Sequence, residues 1–246
     1  DEGFTITNYA EYLEKYESGC EVEIKQASSW SCFHGVGRWK EDCGCSTGGH
    51  PGWNQKWRKP LRDALDYLRD EFASLFEQEG AKYFDNVWEV RNKYIEVILD
   101  RNEMNVKKFQ QENFRPDLSD EDKVKAMELL EIQRQSLLMY TSCGWFFSEI
   151  SGIETVQIMK YAARAMQLAS RFTSKNLEEH FLNILAEAKS NIPEHGTGKD
   201  IFERFVKPSI VTTKQIASLW ALSSLYQDFE DEESVYCYTI RKEAYK

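Results

Sequence analysis

The sequence has no basic excess, no long apolar run and no high cysteine content. Its 246 residues carry 41 acidic against 31 basic side chains, a formal net charge of −10. This acidic balance argues against nucleic acid or an anionic membrane as a partner. No apolar run approaches the roughly 18 residues that a membrane span needs, and no basic-then-apolar signal segment opens the chain. We therefore expect a globular protein of the cytoplasm.

Cysteine is too sparse for a disulfide scaffold. Of the six cysteines, only Cys32, Cys43 and Cys45 lie close together in sequence, whereas secreted disulfide scaffolds are usually shorter and denser in cysteine. We expect mostly reduced thiols. The chain opens with Asp-Glu-Gly and no Met, which indicates a processed or excised piece, and it contains no internal repeat.

Most of the chain has the apolar periodicity of amphipathic helices. Helices are predicted at residues 7–16, 60–80, 83–114, 119–140, 153–171, 175–189, 200–206 and 212–226, and strands at 21–26 and 235–242. The expected fold is mainly α: a single domain over 1–246, with a bundle of about six to seven helices at 60–226. A small β element is expected from the N- and C-terminal segments, which either pair with each other or, through residues 234–246, lead into a further β region.

Residues 28–57 do not follow the helical pattern. They hold four of the seven Trp, three of the six Cys, two of the four His and six of the thirteen Gly. A loop rich in such residues and held by a rigid scaffold is a common place for binding or chemistry. The alternative is a cross-braced loop that only covers a hydrophobic core. We call residues 28–57 the Trp/Gly loop.

Thiols and imidazoles in the Trp/Gly loop follow the pattern C-x-H-x8-C-x-C-x4-H. Zinc takes four such ligands in a tetrahedral array, and Cys32, His34, Cys43 and Cys45 are the candidate set, with His50 next along the chain. Two alternatives remain open at this level. The cysteines can act as small buried hydrophobes, or a disulfide can join Cys43 to Cys45 or to Cys32.

Flat aromatic faces and nearby polar side chains are also typical of carbohydrate sites. The candidate contacts are Trp30, Trp39, Trp53 and Trp145 as stacking platforms and His34, Arg38, Asp42 and Asn54 as polar partners. For each Trp the alternative is core packing. Glycoside chemistry would need two carboxylates roughly 5–9.5 Å apart, and Asp42, Glu149 and Glu154 are the acids in unusual segments. Glu154 can equally be a first-turn acid favoured by the helix dipole.

Three long motifs resemble a known family. They are SSWSCFHGVGRWKEDCGC at residue 28, GHPGWNQKWRKPLRDALDYLRD at residue 49 and LLMYTSCGWFFSEISGIETVQIMKYAARAMQLA at residue 137. They resemble the helical region of bacterial proteins related to glycoside hydrolase family 57. The resemblance runs from about Thr7 to Lys246, and its motifs are specific because they are rich in Trp, Cys and Gly.

The resemblance implies an accessory role. In those proteins a distorted α/β barrel, similar to α-amylase and glucanotransferase catalytic domains, precedes a helical domain of uncharacterised function. The catalytic Glu and Asp lie on the barrel, and this sequence has no alternating strand–helix series that could build one. The chain is therefore expected to shape an α-glucan-type site beside its own N-terminal barrel without cleaving bonds. By the resemblance, the residues that face the sugar cleft are Trp30, His34, Arg38, Trp39 and Asp42, with Trp145 and Glu149 nearby. The alternatives are a structural or interaction module with a zinc or thiol staple and, last, an independent glycoside hydrolase using Asp42, Glu149 or Glu154.

Overall fold

The structure is a computed structural model, which describes residues 3–235 and 238–243. The chain forms two compact units, Asp1–Val36 and Gly37–Lys246. In the first unit the only described helix is α1, Tyr9–Lys15. Among the described hydrophobic residues of the first unit, only Cys32 is buried.

The second unit is a helical body. Its helices are α2 (Arg58–Gly80), α3 (Val87–Lys93), α4 (Ile95–Leu99), α5 (Glu103–Asn113), α6 (Asp120–Leu138), α7 (Cys143–Phe146), α8 (Ile153–Ala169), α9 (Leu177–Leu185), α10 (Gly198–Ile201) and α11 (Thr213–Ser223). Short 3₁₀ turns lie at Gly37–Trp39, Pro193–His195 and Lys207–Ser209, and a π-helical turn spans Phe202–Val206. Strands β1 (Glu232–Val235) and β2 (Tyr238–Arg241) pair antiparallel. The mainly α fold with a small sheet is confirmed.

The core is built on α2, which packs against α6, α8 and α9. The helix predicted at 60–80 is confirmed, and its apolar residues at 3–4 residue spacing are buried: Leu61, Leu65, Leu68, Phe72 and Phe76 are at most 1% exposed. Each such side chain contributes about 1.5–3 kcal/mol by leaving water. Pro60 lies in the first turn of α2, where its missing N–H costs no helical hydrogen bond.

The prediction of one long helix at 83–114 is wrong, because the structure has three helices in this range, α3, α4 and α5. The break before α5 lies at Asp100–Asn102. Asp100 Oδ1 accepts from the backbone N of Asn102, and Asn102 Oδ1 accepts from the backbone N of Asn105. Short polar side chains thus replace the helical hydrogen bonds and start a new helix.

The N-terminal half of the predicted β element is also wrong. Residues 21–26 have no regular secondary structure, and Val22 and Ile24 are 86% and 79% exposed, so the alternation has no core face to pack against. The sheet is instead formed within the C-terminal segment, where Glu232 pairs with Arg241 and Glu233 pairs with Ile240. Residues 236–237 of the strand predicted at 235–242, and residues 244–246 of the C-terminal segment, lie outside the described residues.

Among the described helices, none combines the length and the apolar character needed to cross a bilayer.

Candidate functional site

Four metal-binding side chains come together in residues 32–45. The ligand atoms of Cys32, His34, Cys43 and Cys45 all lie within 4.8 Å of one another, and Cys32 Sγ lies 3.8 Å from His34 Nδ1. A tetrahedral ion with metal–sulfur bonds of about 2.3 Å and metal–nitrogen bonds of about 2.0 Å sets its ligand atoms roughly 3.5–3.8 Å apart. The cluster could therefore hold a metal ion, and its members are the four ligands selected from the sequence.

Two glycines give the backbone the turns that this cluster needs. Gly44 lies between two of the thiols with φ of 79°, and its N–H donates to Asp42 Oδ1 at 3.2 Å. A left-handed residue inside an Asx turn explains how a C-x-C pair directs both sulfurs to one point. Gly35, which follows His34, has φ of 66°, and a Cβ there would lie 2.7 Å from the carbonyl oxygen of Ala27.

The structure also bears on the alternatives that the sequence left open for these residues, namely a disulfide and burial as small hydrophobes. The cysteines of the cluster are thiols, so neither proposed disulfide is present. Cys32 is 6% exposed, while Cys43 and Cys45 are half-buried. His50 is not one of the clustered ligands, and its ring stacks on Trp53, with centroids 3.9 Å apart.

The candidate sugar contacts fall into three classes of exposure. Trp30 is 88% exposed, and His34, Asp42 and Asn54 are exposed, whereas Trp39 and Trp53 are half-buried and Arg38, Trp145 and Glu149 are buried. Sugar binding by these residues stays a prediction. The buried three have internal contacts that account for their positions, and Trp145, at 0% exposed, offers no face to a ligand.

Two buried arginines attach the start of the second unit to the end of α7. Arg58 Nη2 donates to the carbonyl oxygens of Phe147 and Phe146 at 3.2 and 3.4 Å. Arg38 Nη1 lies 3.5 Å from the same Phe146 oxygen, and its guanidinium stands 4.8 Å from the Phe146 ring centroid. Carbonyls at a helix C-terminus lack intrahelical partners and carry partial negative charge. Arg38 is thus an anchor of the fold.

Glu149 is held by the protein itself. Its Oε1 accepts from Ser190 Oγ at 2.6 Å and from the backbone N of Ser151 at 3.1 Å, and its Oε2 accepts from the backbone N of Asn191 at 2.8 Å. Both oxygens are engaged in joining two loops. Of the other candidate acids, Asp42 is exposed, and Glu154 lies in the first turn of α8, as its structural alternative predicts.

Sequence reasoning missed the centre of this polar network, Ser148 and Asn191. The Ser148 carbonyl accepts from Trp57 Nε1 at 3.1 Å and from Asn191 Nδ2 at 2.8 Å, and Ser148 Oγ lies 3.3 Å from Thr47 Oγ1. We call Ser148, Glu149, Ser190 and Asn191 the polar hub. The available signal was the Ser-Asn pair at 190–191, since both side chains readily bond to loop backbone.

A family model described as domain of unknown function (DUF3536) matches residues 53–246. That range includes the polar hub and begins after the Cys/His cluster. No curated protein matches the chain, and no solved structure matches it.

Proposed function

The chain belongs to the DUF3536 family of domains of unknown function, and we propose that it is a helical accessory domain whose Trp/Gly loop is fixed by a structural zinc ion. The observation that carries the proposal is the convergence of three thiols and one imidazole within 4.8 Å. Thiolate and imidazole are ligands that favour zinc over the harder divalent ions. A site in which protein supplies all four ligands leaves no position for a reactive water, so the role is structural.

The Trp/Gly loop needs such support because it buries little. Within residues 28–57 the buried positions are Cys32, Gly37, Arg38, Gln55 and Trp57. Six glycines raise the entropy that ordering the loop must overcome. Metal binding contributes free energy directly to the ordered state where apolar burial is insufficient.

The second candidate function is contact with carbohydrate beside a glycoside hydrolase family 57-like catalytic barrel, as the sequence resemblance implies. Two observations favour it. Trp30 is 88% exposed, and the stacked pair of His50 and Trp53 is adjacent to exposed Asn54. An exposed indole, and a half-buried indole with a polar neighbour, suit the face and the hydroxyls of a sugar ring. The proposed setting is cytoplasmic, with the barrel of the same polypeptide as partner and an α-glucan as ligand.

In this proposal the chain does not cleave glycosidic bonds itself. A general acid or nucleophile must be able to reach the substrate, whereas both oxygens of Glu149 are occupied by internal donors. Glu149 instead positions Ser190 and Asn191.

Cobalt substitution tests the metal site. The full chain, stripped of metal and titrated with Co²⁺, is expected to develop thiolate-to-cobalt charge transfer and the d–d absorption of a tetrahedral site at one equivalent. Cys43→Ser should reduce the charge-transfer intensity, because one thiolate is lost. Cys143→Ser removes an exposed thiol outside the cluster and should leave the spectrum unchanged. An octahedral spectrum, or equal effects of the two variants, would reject the site.

Fluorescence titration with maltooligosaccharides tests the second candidate. Saturable quenching that is lost in both Trp30→Ala and Trp53→Ala is expected, with Trp88→Ala as a control in a different part of the fold. If maltooligosaccharides leave the Trp fluorescence of the wild-type chain unchanged even when the proposed family 57-like barrel is present, carbohydrate contact by these residues is rejected.

A further inference from the structure

Helix α1 presents an apolar face that the other described residues of the first unit do not cover. Tyr9, Tyr12, Leu13 and Tyr16 follow the i, i+3, i+4, i+7 spacing of one helix face. They are 91%, 50%, 55% and 59% exposed, and α1 buries none of its residues.

The local sequence nevertheless encodes this helix strongly. Asn8 Oδ1 accepts from the backbone N of Glu11 at 3.0 Å, Thr7 Oγ1 donates to Glu11 Oε2 at 2.9 Å, and Lys15 pairs with Glu11 at 2.7 Å. A side-chain cap and an i,i+4 ion pair each favour the helical conformation of this segment. Seven residues remain too few for a stable isolated helix. The missing stabilisation is burial of the apolar face.

The charge around this face points to the partner's chemistry. Residues 1–36 hold seven acidic and two basic side chains, so this short segment carries half of the chain's net charge of −10. On and after the helix, Glu14 and Glu17 are exposed, and the one nearby base, Lys15, is already paired with Glu11. Two copies of so acidic a segment repel each other, whereas a groove rimmed by Lys and Arg attracts it.

We propose that α1 is a docking helix, which places Tyr9, Tyr12, Leu13 and Tyr16 in an apolar groove with a basic rim on a partner protein. Tyrosines are frequent interface anchors because they bury a large face and keep a polar edge. The mode is helix-in-groove recognition, with the apolar face giving affinity and the glutamates giving orientation and association rate. This inference is independent of the zinc proposal, since it uses none of the cluster residues.

Site-specific photo-crosslinking in cells of the source organism tests the docking helix. A photoreactive residue replaces Tyr12 on the apolar face of the full chain or, as the matched control, Glu14 on the polar face. We expect one protein to cross-link from position 12 and much less from position 14. Cross-linking to a second copy of this chain, or no cross-link from position 12 above the control, overturns the proposal.

Binding of the captured protein, purified, to the full chain completes the test. Tyr12→Ala is expected to weaken binding at least tenfold, and Glu14→Lys to weaken it with a reduced salt dependence of the association rate. Both variants should unfold at the wild-type temperature because α1 buries no side chain. A partner whose binding is unchanged by either substitution would contradict the docking helix.

Discussion

Asn54 and Asn191 are joined by two hydrogen bonds that run in opposite directions. The backbone N of Asn54 donates to Asn191 Oδ1 at 2.9 Å, and Asn191 Nδ2 donates to the Asn54 carbonyl oxygen at 2.9 Å. The side-chain amide of Asn191 thus bonds both backbone groups of Asn54, as the backbone of a neighbouring β-strand would. Because Asn191 Nδ2 also reaches the Ser148 carbonyl, three loops meet on one side chain.

Asn191→Ala should destabilise the protein by about 2–3 kcal/mol, since it removes the side-chain partners of Asn54 and Ser148. Asn191→Asp should cost at least as much, because its carboxylate would face the two carbonyls without a donor. Urea denaturation measures both. The exposed Asn92→Ala is the control and should stay within about 0.5 kcal/mol of wild type. A neutral Asn191→Ala would mean that the hub does not hold the loop.

Gly144→Ala should cost about 1–3 kcal/mol, because a Cβ there would lie 2.5 Å from Ile158 Cγ2 and force α7 away from α8. The matched control is Gly49→Ala, where a Cβ meets nothing within 4 Å and φ is not positive. Thermal unfolding of the two variants gives the comparison. Equal melting temperatures would show that α7 does not pack on α8 as described.

Glu131 should make stability depend on pH on the acid side. Burial opposes its charge, but hydrogen bonds from Tyr94 and Arg101 outweigh burial and lower the pKa of the Glu131 carboxyl. A lowered folded-state pKa gives stability that is fully present above the ordinary Glu pKa of about 4.3 and is lost as pH falls through the folded-state value.

Glu131→Gln should therefore lower the free energy of unfolding at pH 7 by about 1–2 kcal/mol and flatten its decline in acid. Glu194→Gln removes an exposed carboxylate and serves as the control. Denaturation curves between neutral and acid pH check both. An acid decline in Glu131→Gln as steep as in wild type would assign the decline to other carboxylates.

Loss of zinc from the Cys/His cluster should change the proteolysis of the Trp/Gly loop, whereas a substitution in the docking helix should not. A chelator that removes zinc is expected to expose the Trp/Gly loop to limited proteolysis, and Cys43→Ser should do so without chelator. Tyr12→Ala should leave cleavage in residues 28–57 unchanged, because it touches no ligand. Proteolysis followed by peptide mass spectrometry locates the cuts. A loop that is equally resistant with and without chelator would argue against a metal staple.

Features that depend on local periodicity could be predicted from the sequence. Helix α2 covers the range predicted at 60–80. Asn8 and Ser119 cap α1 and α6 within the ranges predicted at 7–16 and 119–140, with side-chain oxygens accepting from the third residue on. The prediction of one continuous helix at 83–114 overlooked the break, although four consecutive polar residues, Asp100–Glu103, interrupt the apolar spacing there. One of them, Asn102, is of a residue type that favours a helix N-cap. Alternation at 21–26 predicted a strand, yet a strand also needs a neighbour and a core face.

Part of the candidate site could likewise be predicted from the sequence and part could not. Residue type and spacing selected Cys32, His34, Cys43 and Cys45, and the structure brings their ligand atoms together. Residue type alone could not separate an exposed Trp30 from a buried Trp145, because an indole suits both places. Asn191 was missed because its role depends on a loop 137 residues away in sequence.

Zinc stoichiometry by native mass spectrometry tests the central claim most directly. The full chain, purified without a metal-binding tag, is expected to carry one zinc ion that is lost on acid denaturation. Cys43→Ser should lose most of it, and Cys20→Ser, at an exposed cysteine outside the cluster, should keep it. A folded wild-type chain that carries no zinc after purification and refuses it on titration would contradict the account.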